Sequence, residues 1–220
     1  MSTYLERDIN ELISADSITF TKFLTAVAAR TGELLNYANI ASETGVSEPT
    51  VKSWISILER TGIVYILQPY SSSALNRAIK TPKIYFRDTG LACYLTRWLT
   101  ADALKNSAVA GNMFETIVVS EILKTYINEG RDYRFNIYYY RGKDKNPRGE
   151  NEIDLVIEED GFVYPVEIKM SANPRAEMGG ANPVLDKIPE KKRGMGIILC
   201  LIDRKYYLRE NLLALPIEYV

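Results

Sequence analysis

Residues 151–169 read NEIDLVIEEDGFVYPVEIK, and their pattern decides the fold of the second half of the chain. EIDLVIEE is a run of apolar and β-branched residues broken by acids, as in a strand. Asp160–Gly161 follows, a dipeptide suited to a tight hairpin turn because both positions tolerate positive φ. FVYPVEIKMS is then the returning strand. Side chains alternate along a strand, so Val166 and Ile168 point one way and Glu167 and Lys169 the other. Asp154 sits between apolar neighbours on the preceding strand. The hairpin sets the two strands side by side, which lets Asp154, Glu167 and Lys169 gather on one face.

Outward from that hairpin, GNMFETIVVSEILKTYINEG predicts an amphipathic helix ended by Gly130, and Glu115 lies on it. FNIYYYR predicts a strand and GKDKNPRGEN, 142–151, a loop. GMGIILCLID is almost wholly apolar, as expected of a strand at the centre of a covered sheet. Together these elements predict a mixed α/β domain over 101–220. The first hundred residues read differently. Ser17 is expected to cap a helix with Phe20, Phe23, Leu24, Val27 and Ala28 on one stripe, ended by Gly32. A short helix from Tyr37 to Thr44, a Gly45 turn, and a helix capped by Ser47 with Pro49 in its first turn come next. Val51, Trp54, Ile55 and Leu58 recur at helical spacing. IVYILQPY and KIYFRD predict two strands. Helix, glycine turn, helix and a two-stranded wing make a winged helix-turn-helix domain over 1–100, and Asp88 is expected to cap a further helix.

Composition sets limits. The chain has 220 residues, 46% of them apolar, with 27 Lys plus Arg against 28 Asp plus Glu. Such a balance excludes bulk polyanion binding and leaves local patches only. Histidine is absent, which removes Ser-His-Asp and Cys-His catalysis and His-ligated zinc. Cys93 and Cys200 are far apart in sequence and form no CxxC; they are expected to be reduced, buried thiols of a cytoplasmic protein. No apolar run nears the roughly 18 residues of a membrane span, so no membrane partner is expected.

Carboxylates from separate segments beside one ammonium suit one chemistry in particular. Two or three carboxylates with a backbone carbonyl form a hard, oxygen-only site for Mg²⁺ or Mn²⁺. A lysine next to it can orient a water or take up negative charge as a point cation. No histidine is required.

Gly111–Glu115 as G-x-x-x-E, Asp154, and Glu167–Lys169 as E-x-K resemble the PD-(D/E)xK, restriction-endonuclease-like nuclease superfamily in order and placement. Ile153 stands where the superfamily often has proline. The resemblance implies a restriction-endonuclease-like α/β domain with a central mixed sheet. It implies metal ligation by Asp154, Glu167 and the Ile168 carbonyl, water positioning by Lys169, and assistance from Glu115. A longer resemblance runs through LLNYANIASETGVSEPTVKSWISILERTGIVYILQPY, TPKIYFRDTGLACYL, FETIVVSEI and NEIDLVIEEDGFVYPVEIK. These stretches are similar to the C-terminal half of a family of bacterial and archaeal AAA+ ATPases, in which a P-loop module precedes a winged helix and a nuclease-like domain. No GxxxxGK[ST] is present, so no ATP site is expected in this chain. The resemblance implies an ATPase module in the same, longer protein.

Nucleic-acid contact would fall to Lys52 on the recognition helix, to Arg77, Lys80 and Lys83 on the wing, and to Arg141, Lys143 and Lys145 before the Asp154 strand. Phosphate contacts supply most such affinity, and the recognition helix offers a single cation among its exposed positions. Three functions follow: a Mg²⁺-dependent DNA nuclease, a non-catalytic regulatory or partner-binding region of an ATPase using the nuclease fold as scaffold, and a winged-helix DNA binder. Self-association is left open.

Overall fold

The structure, a computed structural model, describes residues 16–70, 80–146 and 149–220, with only the backbone described at 143–146 and 149–150. Contacts divide the chain into two units, one of Met1–Ile66 with Ile84–Thr116 and one of Leu67–Lys83 with Ile117–Val220. The end of the expected strand IVYILQPY meets the later sheet: Gln68 and Tyr70 pair with Tyr139 through backbone hydrogen bonds of 3.2 and 2.6 Å.

The first unit is mainly helical. Helix α1 (Ser17–Ala28) is capped by Asp16, whose carboxylate accepts from the Ile18 and Thr19 N–H groups at 3.1 and 2.9 Å. The expected cap, Ser17, is instead the first helical residue; a carboxylate one position earlier meets the exposed N–H groups and the helix dipole together. Gly32 does not end this helix, which stops at Ala28; its N–H bonds Ile84 O. After β1 (Glu33–Leu34), α2 (Tyr37–Thr44) ends at Gly45 in the left-handed region and α3 (Glu48–Arg60) begins under the Ser47 cap. Phe20 and Phe23 meet the Trp54 ring edge-on at 5.8 and 5.0 Å, so the helical stripes of α1 and α3 form one core. Strands β2 (Val64–Leu67) and β3 (Lys83–Phe86) join β1 in the order β1-β3-β2. Helix α4 (Thr89–Leu95) is capped by Asp88. Helix α5 (Ala101–Lys105) follows, capped by Thr100.

Helix α6 (Ala110–Asn128) leads to a seven-stranded mixed sheet. Its strands are β4 (Ile137–Asn146), β5 (Gly149–Glu159), β6 (Phe162–Lys169), β7 (Lys192–Arg193), β8 (Gly196–Cys200), β9 (Tyr206–Arg209) and β10 (Leu212–Pro216). The order is β4-β5-β6-β8-β10-β9, with β7 beside β6. β5 and β6 are antiparallel, whereas β6–β8 and β8–β10 are parallel. The apolar GIILC strand lies at the centre, as its composition requires. Within the segment expected to be a loop, 142–146 and 149–151 instead extend β4 and β5 as far as the pair Asn146↔Gly149. These residues carry no apolar alternation of their own that would mark them as strand. On one side of the sheet, Ile122 and Tyr126 of α6 face Ile157, Val166, Ile197 and Leu199 around an apolar cavity of about 220 Å³.

The β5–β6 turn tests the hairpin directly. Asp160 and Gly161 have φ of 49° and 80°, a type I′ turn. A Cβ at Gly161 would meet nothing within 4 Å. Gly161→Ala is therefore expected to cost only the left-handed backbone penalty, about 1–2 kcal/mol, read as a lower urea midpoint with unchanged slope.

Candidate metal centre

The site grows from a register. β5 and β6 pair one-to-one from Glu159↔Phe162 to Leu155↔Val166, which makes Asp154 and Glu167 the next positions facing each other. Residues directly opposite on an antiparallel pair share a face. Since Val166 lies on the side covered by α6, alternation sends Glu167 and Lys169 to the other side of the sheet.

At this point the ladder stops and side chains take over. Continued pairing would give the Ile168 N–H to the Ile153 carbonyl. Asp154 Oδ2 accepts it instead at 2.7 Å. The same oxygen accepts from Lys169 Nζ at 2.8 Å, and Lys169 Nζ lies 2.8 Å from Glu167 Oε2. Asp154 and Glu167 are 6% and 3% exposed. Burial of two carboxylates requires charge compensation and hydrogen bonds, and one ammonium serves both. Glu167 Oε1 is buried with no hydrogen-bond partner, an oxygen left open to a ligand.

The electrostatics follow. Burial, reinforced by Asp154 across the strand, pushes the Glu167 carboxyl up to about 8, against the pull of Lys169. One ammonium shared between two acids cannot offset both desolvation and like-charge repulsion. Lys169 is held above its ordinary value by Asp154 and Glu167, which outweigh its own burial.

The other predicted positions have partners of their own or lie at the surface. Glu115 belongs to the first unit, where the Tyr85 hydroxyl donates to its carboxylate at 2.6 Å. Among the described residues no group of three or more Cys, Asp or Glu is arranged to hold a metal; Asp154 and Glu167 are a pair. Lys52 is bound to Glu48 at 2.7 Å one turn back and lies 5.3 Å from the Tyr37 ring. Lys80 is exposed. Lys83 is not an exposed wing cation: its side chain is buried, 2.8 Å from Glu152 and 5.5 Å from the Tyr139 ring centre. Arg141 approaches Glu152 at 3.8 Å. Arg77 and the side chains of Lys143 and Lys145 lie outside the described residues. Further along the chain, Lys191 pairs with Glu158 at 2.7 Å and Arg193 with Asp186 at 2.7 Å.

Sequence reasoning missed the Lys83–Glu152–Arg141 group, set two positions from Asp154 along β5. Its only signal was the alternation of Glu152 with Asp154. Both cysteines are free thiols, Cys200 buried and Cys93 half-buried. No helix among the described residues is long and apolar enough to cross a membrane.

Two family matches and two relatives accompany this geometry. A domain of unknown function, DUF8612, matches residues 1–102, and another, DUF4143, matches residues 110–220. The chain is similar to Uncharacterized protein Rv2008c of Mycobacterium tuberculosis, at 27% identity over 190 residues, covering 84% of this chain and 40% of that protein. Uncharacterized protein Mb2031c of Mycobacterium bovis matches with the same identity and coverage. The chain thus spans two fifths of the length of these relatives. No solved structure matches.

Proposed function

We propose that this chain, which belongs to the DUF4143 family, holds a divalent cation at Asp154 and Glu167 and cuts DNA phosphodiesters there as a Mg²⁺- or Mn²⁺-dependent nuclease. One observation carries the reading: two buried carboxylates face each other across the end of the β5–β6 ladder, with Glu167 Oε1 buried and unpartnered. The donor set fits. It is oxygen-only and anionic, as Mg²⁺ and Mn²⁺ prefer. In an extended strand a residue's carbonyl points to the same side as its N–H, and the Ile168 N–H meets Asp154; the reading gives that carbonyl the third position. A divalent cation held there supplies charge stabilisation for a phosphodiester and a more acidic water. Lys169, on the same face, orients the attacking water and offsets developing negative charge. The resemblance to the PD-(D/E)xK superfamily supports the same roles. The reading rests on Asp154, Glu167 and Lys169 and does not need Glu115.

The resemblance to AAA+ ATPases supports a wider proposal. The chain covers 40% of its relatives, which leaves length for an ATPase module in proteins of that kind. The first unit, with its helix-turn-helix and small sheet, is then a winged helix. Its DNA role is secondary, because Lys52 is already engaged by Glu48.

A second reading has one observation in its favour. Lys169 bridges both acids at 2.8 Å, and a bridged triad of this kind holds a strand junction together without any metal. The domain would then be a partner-binding scaffold of an ATPase. Supercoiled, linear and single-stranded DNA incubated with the chain in Mg²⁺ or Mn²⁺, against EDTA, separates the two. Metal-dependent cleavage of at least one form is expected, and none with either metal leaves the scaffold reading.

A further inference from the structure

We propose that Lys169 is a resident cation in the seat a divalent ion would take, so that metal binding at Asp154 and Glu167 requires the ammonium to leave both carboxylates. The inference rests on the metal-site reading above and adds a competition to it.

Three features carry it. First, Lys169 Nζ contacts the oxygens the metal would use, at 2.8 Å from Asp154 Oδ2 and 2.8 Å from Glu167 Oε2. A Mg²⁺ ion needs oxygens at roughly 2.0–2.1 Å, and a cation so close to both acids cannot share the gap with a second positive charge. Second, the acids form a fixed frame. Their side chains are 8% and 4% exposed, and Asp154 is pinned by the Ile168 N–H at 2.7 Å. Third, Lys169 can leave. Its side chain is 33% exposed, and its stem is long and flexible. The moving part is therefore the lysine. With the ammonium in place the charges of the triad nearly cancel, and the site is latched. Once it is displaced, the ammonium stays on the same sheet face, where the proposed reaction needs it. Lys169 therefore opposes metal binding. A lysine that merely organised the acids for a metal would favour it.

The test is Mn²⁺ binding to the full 220-residue chain, followed by electron paramagnetic resonance, in the natural protein and in Lys169→Met. Loss of the competitor is expected to tighten binding by at least about fivefold, the lower end of ordinary coupling between competing groups. Equal or weaker binding overturns the competition and leaves the metal-site reading standing. No Mn²⁺ binding by either protein removes both. Lys169→Met leaves two buried acids without their counter-ion and is at risk of not folding, so a second measurement uses the natural protein. Acylation of Lys169, followed by mass spectrometry, is expected to rise when Mg²⁺ is added, and not to rise in Asp154→Asn. Unchanged acylation in the natural protein under conditions where Mn²⁺ binds also overturns the proposal.

Discussion

Asp154→Ala is expected to remove Mg²⁺-dependent DNA cleavage by about 10³-fold or more, because a lost ligand removes several kcal/mol of charge stabilisation at the reacting phosphate. The variant also changes the fold locally. Asp154 accepts the Ile168 N–H and the Lys169 ammonium, and losing a buried acceptor costs about 1–3 kcal/mol. Asp154→Asn separates the two effects. Its amide oxygen keeps the Ile168 bond while the charge that binds a metal is gone. Cleavage by Asp154→Asn is expected to be as low as by Asp154→Ala, with stability closer to that of the natural protein. Cleavage that survives in a folded Asp154→Asn would place the chemistry elsewhere in the chain.

The second large effect is on stability and needs no activity. Glu167 has its carboxyl raised to about 8 in the folded chain, against an ordinary value of 4.5. Below about pH 4.5 both folded and unfolded chains hold the proton. As pH rises past that value the unfolded chain releases it and the folded chain does not, so the folded state binds more protons and stability falls with pH. The decline continues until pH passes about 8, where the folded carboxyl also ionises. The slope approaches 1.4 kcal/mol per pH unit, so the loss between pH 5 and 8 is on the order of 3–4 kcal/mol. Lys169 carries the same sign but acts higher: its raised value gives stability that is lost only as pH climbs through the strongly alkaline range. Glu167→Gln is isosteric and does not titrate. It is expected to flatten the fall measured by urea unfolding at pH 5 and pH 8. An equal fall in both proteins would mean that another group carries the linkage.

Both expectations return to a strand junction that was partly legible from residues alone. The alternation in VEIK and the Asp160–Gly161 turn gather Asp154, Glu167 and Lys169 on one sheet face, and the observed register sets Asp154 opposite Glu167. The helix starts at Ser47 and Asp88 and the Gly45 turn were equally legible, because caps and turns depend on neighbours three or four residues away. Asp16 displaced Ser17 as a cap for a reason just as local, a carboxylate one position earlier. The β9–β10 hairpin lies in KYYLRENLLALP, where no Asn-Gly or Asp-Gly dipeptide marks the turn.

What neighbours in sequence could not supply was the use of each charge. Lys83 and Glu152, Asp154 and the Ile168 N–H, and Tyr139 with the 68–70 segment meet only because distant stretches share one sheet. A cation in sequence is a solvated charge until burial and a partner decide otherwise, which is why Lys83 read as a wing contact and stands as a buried pair. Residue order by itself determined strands, turns, caps and the shared sheet face of Asp154, Glu167 and Lys169, because those follow from periodicity and short-range hydrogen bonding. Tertiary structure alone decided that Lys169 bridges both acids and that Glu167 Oε1 is left open, because desolvation and pairing depend on everything packed around them.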